Sequence, residues 1–335
     1  MRVLFIGGTG IISSACTALA LERGIELTLL CRGKTSTRPA PAGTKFLHAD
    51  IADENATRAA LGSQEFDAVV NWIVFTPEQV ERDLALFAGR TSQYVFISSA
   101  SAYQTPPGPM PVTESTPLHN PHWQYSRNKI ACEERLIRAY REQGFPATIV
   151  RPSHTYDRTL LPPDGGYTVI DRMRRGKPVI VHGDGTSLWT LTHHRDFARA
   201  FVPLLGHDAA LGEAFHITSD EVLSWNRIYQ ILGQAAGAKP ELVHVPSDLI
   251  AAYDANWGAG LLGDKSHSMV FDNSKIKRLV PEFRAEIPFC RGAREILEWY
   301  DADASRRVVD DKFDRLCDTI IAAQRAAYPK PREVR

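Results

Sequence analysis

The N-terminal segment Arg2-Val-Leu-Phe-Ile-Gly-Gly-Thr-Gly10 constrains this chain more than any other stretch. An apolar run of strand length passes directly into a glycine turn, and an apolar stretch of helical period follows it. Gly7, Gly10 and Ser13 stand in a G-x-x-G-x-x-S pattern. Glycine at the first two places lets the backbone turn tightly and approach a pyrophosphate. The opening of the helix, at Ile11 and Ile12, supplies amide donors to the same anion. The third place demands a small residue for helix-to-strand packing, which serine meets.

The same rhythm continues. Runs rich in Val, Ile, Leu and Phe at 2–6, 26–30, 45–48, 67–70, 94–97 and 147–150 alternate with helix-period segments such as 13–23, 77–87 and 126–142. Strands alternating with helices predict a parallel, doubly wound α/β sheet. After Arg151-Pro152 the texture changes, with Pro162-Pro163, Gly165-Gly166 and Gly183-Asp-Gly185 interrupting shorter elements. The expected division is a nucleotide-binding domain of residues 1–152 plus about 188–216, and a smaller substrate domain of 153–187 and 217–330 over the carboxyl edge of the sheet. Val309, Phe313, Leu316 and Ile320 recur at helical spacing and predict a terminal helix packed on the body.

Charge excludes some partners. Lys plus Arg and Asp plus Glu both total 39, so the formal net charge is zero, where a general polyanion binder shows a basic excess. Five scattered cysteines with no C-x-x-C pair suggest neither a disulfide framework nor structural zinc. His193 and His194 are adjacent, so on one strand they would point to opposite faces, and no metal site is expected. Met1 runs directly into the first strand and no apolar run approaches the roughly 20 residues of a membrane span. The expectation is a cytoplasmic protein with no membrane partner.

At the end of the second strand an acidic residue commonly holds the adenosine ribose and favours NAD. Here Cys31-Arg32-Gly-Lys34 replaces it. A guanidinium at Arg32 can pair with a 2′-phosphate, so NADP is favoured over NAD. Asp50 and Ile51, after the third strand, suit the adenine side.

Tyr125-Ser-Arg-Asn-Lys129 is the only Y-x-x-x-K, and Ile130, Leu136, Ile137 and Tyr140 mark the apolar face of its helix. Four-residue spacing brings the phenol and the ammonium to one side, where the charge is expected to lower the tyrosine pKa. Ser99, ending the run Tyr94-Val-Phe-Ile-Ser-Ser99, can hold a substrate oxygen. With these residues, the glycine turn, Arg151-Pro-Ser-His-Thr-Tyr156, Gly183-Asp-Gly185, His193–Asp196, Asp272-Asn-Ser-Lys275 and Trp299-Tyr300, the chain resembles the extended branch of the short-chain dehydrogenase/reductase superfamily, of epimerase/dehydratase type.

That resemblance implies a Rossmann-type doubly wound parallel sheet with a smaller C-terminal α/β substrate domain, an NAD(P) cofactor and, commonly, a homodimer. It implies Tyr125 as general acid/base, Lys129 as its tuner and a holder of the nicotinamide ribose, and Ser99 as the group positioning the reacting hydroxyl or carbonyl. The chain also departs from the pattern. Ala100 and Ser101 stand where nucleotide-sugar dehydratases carry Asp and Glu, which argues against 4,6-dehydration. Trp189 replaces the arginine that meets a substrate diphosphate, and Ile73 and Val74 replace small residues beside the nicotinamide. The link from Asn71 to Tyr94 is short, so the family's structural asparagine has no clear counterpart.

The expected activity is hydride transfer, as an oxidoreductase or epimerase, on a sugar-like polar substrate. Ser101, His154 and Trp189 are candidate substrate contacts, Trp123 and Trp189 could form an aromatic wall, and Lys265 and His267 are either substrate contacts or solvated loop residues. Two alternatives are an RNA-binding protein resembling the chloroplast stem-loop-binding proteins and a non-catalytic NAD(P)-sensing regulator. The zero net charge and complete Tyr125/Lys129 pair make nucleic acid the less favoured partner.

Overall fold

The computed structural model describes residues 1–33 and 37–329, so Lys34 lies outside the described residues. Seven parallel strands form the main sheet. They are β1 Arg2–Ile6, β2 Glu26–Cys31, β3 Lys45–His48, β4 Ala68–Asn71, β5 Tyr94–Ile97, β6 Ala147–Pro152 and a last strand, Ala214–Ile217. Their order, from Ala214–Ile217 through β6, β5, β4, β1 and β2 to β3, reverses direction between β1 and β4. Such a switch point opens a crevice beyond the carboxyl ends of the strands, where open α/β sheets take ligands.

Both faces of the sheet are covered. Helix α1 (Ile11–Glu22) and the helix His194–Leu204 bury Cys16, Ala20, Phe197 and Phe201 against Val3, Phe5 and Val70 on one face. On the other, α2 (Glu54–Leu61), α3 (Pro77–Phe87) and α4 (Gln124–Gln143) bury Leu61, Val80, Leu84 and Leu136 against Leu4, Ile6, Val69 and Phe96. Central strands buried on both faces read as unbroken apolar runs, which is why they were legible in the sequence.

A second core, around Trp189, Trp225, Ile228, Phe289 and Ile296, lies outside this sheet. Short strand pairs frame it. His154–Tyr156 runs parallel to Leu191–His193, and Val179–His182 runs parallel to Leu242–Val245. The terminal helix Asp311–Ala326 packs Cys317, Ile320 and Ile321 against Ile180, Val245 and Ile250, as its periodicity predicts. One local reading is corrected. His193 closes a strand and His194 opens the next helix, so their rings approach to 4.7 Å between centroids instead of facing opposite ways.

The position of α4 is fixed by an enclosed ion pair. Arg151 on β6 grips Glu133 of α4 with Nη2 to Oε2 at 2.6 Å and Nε to Oε1 at 3.0 Å, and the Ser98 hydroxyl donates to the same carboxylate. The Glu133 side chain is fully buried, and these partners satisfy its carboxylate oxygens. Removing one partner strands the other charge. Glu133→Ala is therefore expected to lower unfolding free energy by about 3–5 kcal/mol, whereas the double substitution Glu133→Met, Arg151→Met recovers most of that loss. Urea denaturation of the three proteins measures both effects.

Candidate active site

The glycine turn of β1 is built as its composition requires. Gly7 has φ +87°, and a Cβ there would meet Ile73 Cγ2 at 2.9 Å. Gly10 caps α1, so the amides of Ile11 and Ile12 begin the helix without intrahelical acceptors. Ser13 does more than leave room for packing. Its hydroxyl accepts from the Gly10 amide at 2.7 Å and donates to the Gly7 carbonyl at 2.9 Å, stapling the turn shut. At the far end of the cleft, Arg32 Nη1 lies 3.9 Å from Asp50 Oδ2, both side chains substantially exposed, so the two residues assigned to the adenosine side meet. Ile51 is buried nearby in the chain.

The loop after β4 is held from below. The Asn71 amide donates to Asp83 at 2.5 Å and its oxygen accepts from the Ile73 amide at 3.0 Å, while Tyr94 and Arg82 also donate to Asp83. This fixes Ile73, Val74 and Phe75 beside α4. Ile73 and Phe75 remain exposed as an apolar wall, and the Phe75 ring lies 6.4 Å from that of Tyr125.

Lys129 is buried on the inner side of α4. Its ammonium donates to the Val74 carbonyl at 2.5 Å and the Ile97 carbonyl at 2.8 Å, tying the loop after β4 and the end of β5 to the helix. Two of its three donors are thereby used, leaving one. Burial lowers its pKa to about 8. The ammonium sits 5.7 Å from the Tyr125 ring centroid and serves backbone carbonyls rather than the phenol. The expected fall in the Tyr125 pKa is not found. Burial, aided by the negative charge of Asp264, lifts it to about 12, and the Ser99 hydroxyl offsets only part of that.

A chain of hydroxyls runs beside the phenol. Ser99 caps the 3₁₀ turn Ala100–Ala102 and lies 2.9 Å from the Ser101 hydroxyl, which accepts from Ser126 at 2.7 Å. Ser99, Ser101 and Tyr125 line one cavity of about 250 Å³ with Trp123, His154, Trp189, Asp264 and Lys265. The structure thus brings together Ser99, Tyr125 and all three candidate substrate contacts. The Trp189 indole N–H points to His154 Nδ1 at 3.4 Å, and burial followed by the nearby Lys265 charge lowers the histidine to about 3, keeping it neutral. Trp123 stacks obliquely on Tyr125 with centroids 4.8 Å apart. The glycine turn, Arg32 and Asp50 do not line this cavity.

Sequence reasoning missed two residues. Asn120, fully buried, donates to the carbonyls of Ser101 and Gly263 and accepts from the amides of His122 and Trp123. It joins the serine turn, the entry to α4 and a distant π turn, Leu261–Lys265. Asp264, on that turn, brings a carboxyl to the cavity that burial raises to about 7. Neither belongs to a recognisable motif; only the fold brings them to the phenol.

The residues present suit a dinucleotide. A positive-φ glycine whose Cβ would collide, unpaired amides at a helix start and a spare lysine donor are what a pyrophosphate and a ribose require. Residues 3–218 match the model of the NAD dependent epimerase/dehydratase family. The 2′-dehydrokanamycin reductase of Streptomyces kanamyceticus is 26% identical over 290 residues, covering 85% of this chain and 80% of that protein. The chloroplast stem-loop binding protein of 41 kDa b of Arabidopsis thaliana is 26% identical over 257 residues, covering 72% and 65%. An epimerase from Methanothermobacter thermautotrophicus has the same fold, with TM-score 0.73 at 16% identity over 91% of this chain and 94% of that one. The chain belongs to the NAD dependent epimerase/dehydratase family.

Proposed function

We propose that this chain is an NAD(P)-dependent oxidoreductase or epimerase that transfers hydride at a hydroxyl or ketone carbon of a sugar-like substrate, with Tyr125 as the proton donor and acceptor. One observation carries this reading: the Tyr125 phenol, the Ser99 and Ser101 hydroxyls and two tryptophans share one small cavity at the carboxyl end of β5. The similarity to 2′-dehydrokanamycin reductase supports a carbonyl or alcohol substrate. When bound, the nicotinamide supplies or accepts the hydride.

The turn at Gly7 and Gly10 and the amides of Ile11 and Ile12 would hold the pyrophosphate, Arg32 and Asp50 with Ile51 the adenosine end, and Lys129 the nicotinamide ribose. Ser99 offers a hydroxyl to the reacting oxygen, and Ser101 and Ser126 orient it through their chain. With its pKa near 12, the phenol is protonated at neutral pH and acts as an acid toward a carbonyl oxygen. Lys129 holds the helix in register with β4 and β5, so the phenol stays beside Ser99. His154, neutral, and Trp189 shape the opposite wall. Elimination lacks its usual carboxyl pair at Ala100 and Ser101, and 4,6-dehydration is not part of this proposal.

Similarity to the stem-loop binding protein gives RNA binding as a second reading, which the formal net charge of zero disfavours. RNA affinity absent at physiological ionic strength removes it, and tight, salt-dependent binding would replace the enzyme reading.

Three outcomes are expected. Tyr125→Phe retains NAD(P)H binding, followed by nucleotide fluorescence, and loses about 10²–10⁴-fold in hydride transfer. Because the phenol pKa is raised, its basic form appears only as pH rises. Alcohol oxidation should therefore climb across roughly pH 7 to 10, while carbonyl reduction needs no such rise. Equal oxidation rates across that range would contradict the assignment. Arg32→Ala should cut a preference for NADPH over NADH by at least about tenfold, the worth of one charge-assisted contact. An unchanged ratio in fluorescence titrations would remove Arg32 from 2′-phosphate recognition.

A further inference from the structure

Two charged side chains in the cavity have no part in the proton transfer proposed above. Asp264 and Lys265 are consecutive on the π turn Leu261–Lys265, and both line the cavity. Asp264 borders the phenol closely enough for its charge to act on Tyr125, and the Lys265 charge acts on His154 at another wall. The Lys265 ammonium lies 5.9 Å from the Trp123 ring centroid. Among the described residues, neither charged group has a hydrogen-bond or ion-pair partner within the protein.

Their backbone, by contrast, is firmly held. The Gly263 carbonyl accepts from Asn120 at 2.6 Å and Thr105 at 3.3 Å, and the Lys265 carbonyl accepts from His182 at 2.9 Å and Ser187 at 3.2 Å. A Cβ at Gly263 would press on Trp123 Cβ at 2.8 Å, so the turn also seats against the wall of the cavity. Single π turns inside helical segments recur at functional sites. A fixed turn that presents a half-buried carboxyl and a largely buried ammonium, with no protein partners among the described residues, leaves both groups available to a ligand in the cavity.

We propose that Asp264 and Lys265 form a hydroxyl clamp for an uncharged sugar ring, the carboxylate accepting a hydrogen bond from one ring hydroxyl and the ammonium donating to a neighbouring one. The proposal rests on the sugar-like substrate argued above and adds which end of the site reads it. Adjacent hydroxyls, each able to donate and accept, match an acceptor and a donor set side by side. No arginine lines the cavity, so a diphosphate would find no forked donor there. A volume of about 250 Å³ falls below the roughly 300–1,000 Å³ of pockets that enclose drug-sized ligands, and it suits a single ring. Trp123 and Trp189 supply flat apolar surface for the C–H face of that ring.

Saturation-transfer NMR on the full chain with NADH present tests this. Methyl β-D-glucopyranoside and methyl β-D-galactopyranoside serve as neutral probes, and glucosamine and glucuronate as charged ones. At least one neutral glycoside is expected to bind more tightly than either charged sugar. Asp264→Ala and Lys265→Met should each weaken it by about tenfold or more, and Asp264→Asn, which keeps an acceptor oxygen, should lose less than Asp264→Ala. Thermal unfolding checks that each variant is folded. The clamp is overturned if the charged sugars bind as well as the neutral ones, if no probe binds, or if folded Asp264→Ala and Lys265→Met keep wild-type affinity. Since binding is read without turnover, its failure leaves the Tyr125 assignment standing, and loss of hydride transfer in the Tyr125 experiments leaves the clamp measurable.

Discussion

The ion pair between Glu133 and Arg151 fixes the helix on which the candidate site depends. It is almost wholly shielded from water, couples the middle of α4 to β6, and takes a further hydrogen bond from Ser98, next to the Ser99 hydroxyl. One charged contact therefore sets the distance between the helix that carries Tyr125 and Lys129 and the strand end that carries the serine pair. Lys129 adds two bonds, to the Val74 carbonyl in the loop after β4 and to the Ile97 carbonyl that closes β5. Desolvation makes each of these contacts expensive to form alone, and together they leave α4 a single register.

That rigidity has an electrostatic result. A lysine with two of its three donors committed to carbonyls, and its ammonium 5.7 Å from the Tyr125 ring centroid, does not pair with the phenol. Tyr125 is governed instead by its enclosure and by Asp264 across the cavity, both of which favour the protonated form. The residue types that suggest a lowered phenol are all present, yet their placement reverses the sign. Spacing along a helix identifies neighbours; it does not say which of them the charge will serve.

The parts legible in the sequence are those with local causes. Buried parallel strands are apolar throughout, so β1 and β5 could be bounded to the residue, and the turn after β1 follows from glycine at Gly7 and Gly10. The assembly of Ser99, Tyr125, His154 and Trp189 could be anticipated only through the resemblance to a known family, since those residues come from four separate elements. Asn120 and Asp264 could not be anticipated at all. Asn120 acts through backbone carbonyls and amides, which any sequence supplies, and Asp264 reaches the cavity because a π turn far along the chain is tied there by Asn120, Thr105, His182 and Ser187.

The same tie joins two walls of the cavity that are held in different ways. The glycine turn, α4 and the serine turn are fixed to the main sheet by Ser13, Lys129 and the Glu133–Arg151 pair. The opposing wall, with His154, Trp189, Asp264 and Lys265, belongs to short strand pairs and a turn outside that sheet. Substitutions on that wall alter which groups meet a ligand without moving Tyr125 relative to Ser99. Asn120 is the joint between the two sides. Its amide donors hold the serine turn and the π turn, while its oxygen holds the entry to α4, so every polar atom of its side chain is used. A change there would disturb both walls at once, whereas a change at Trp189 or Lys265 would disturb only one.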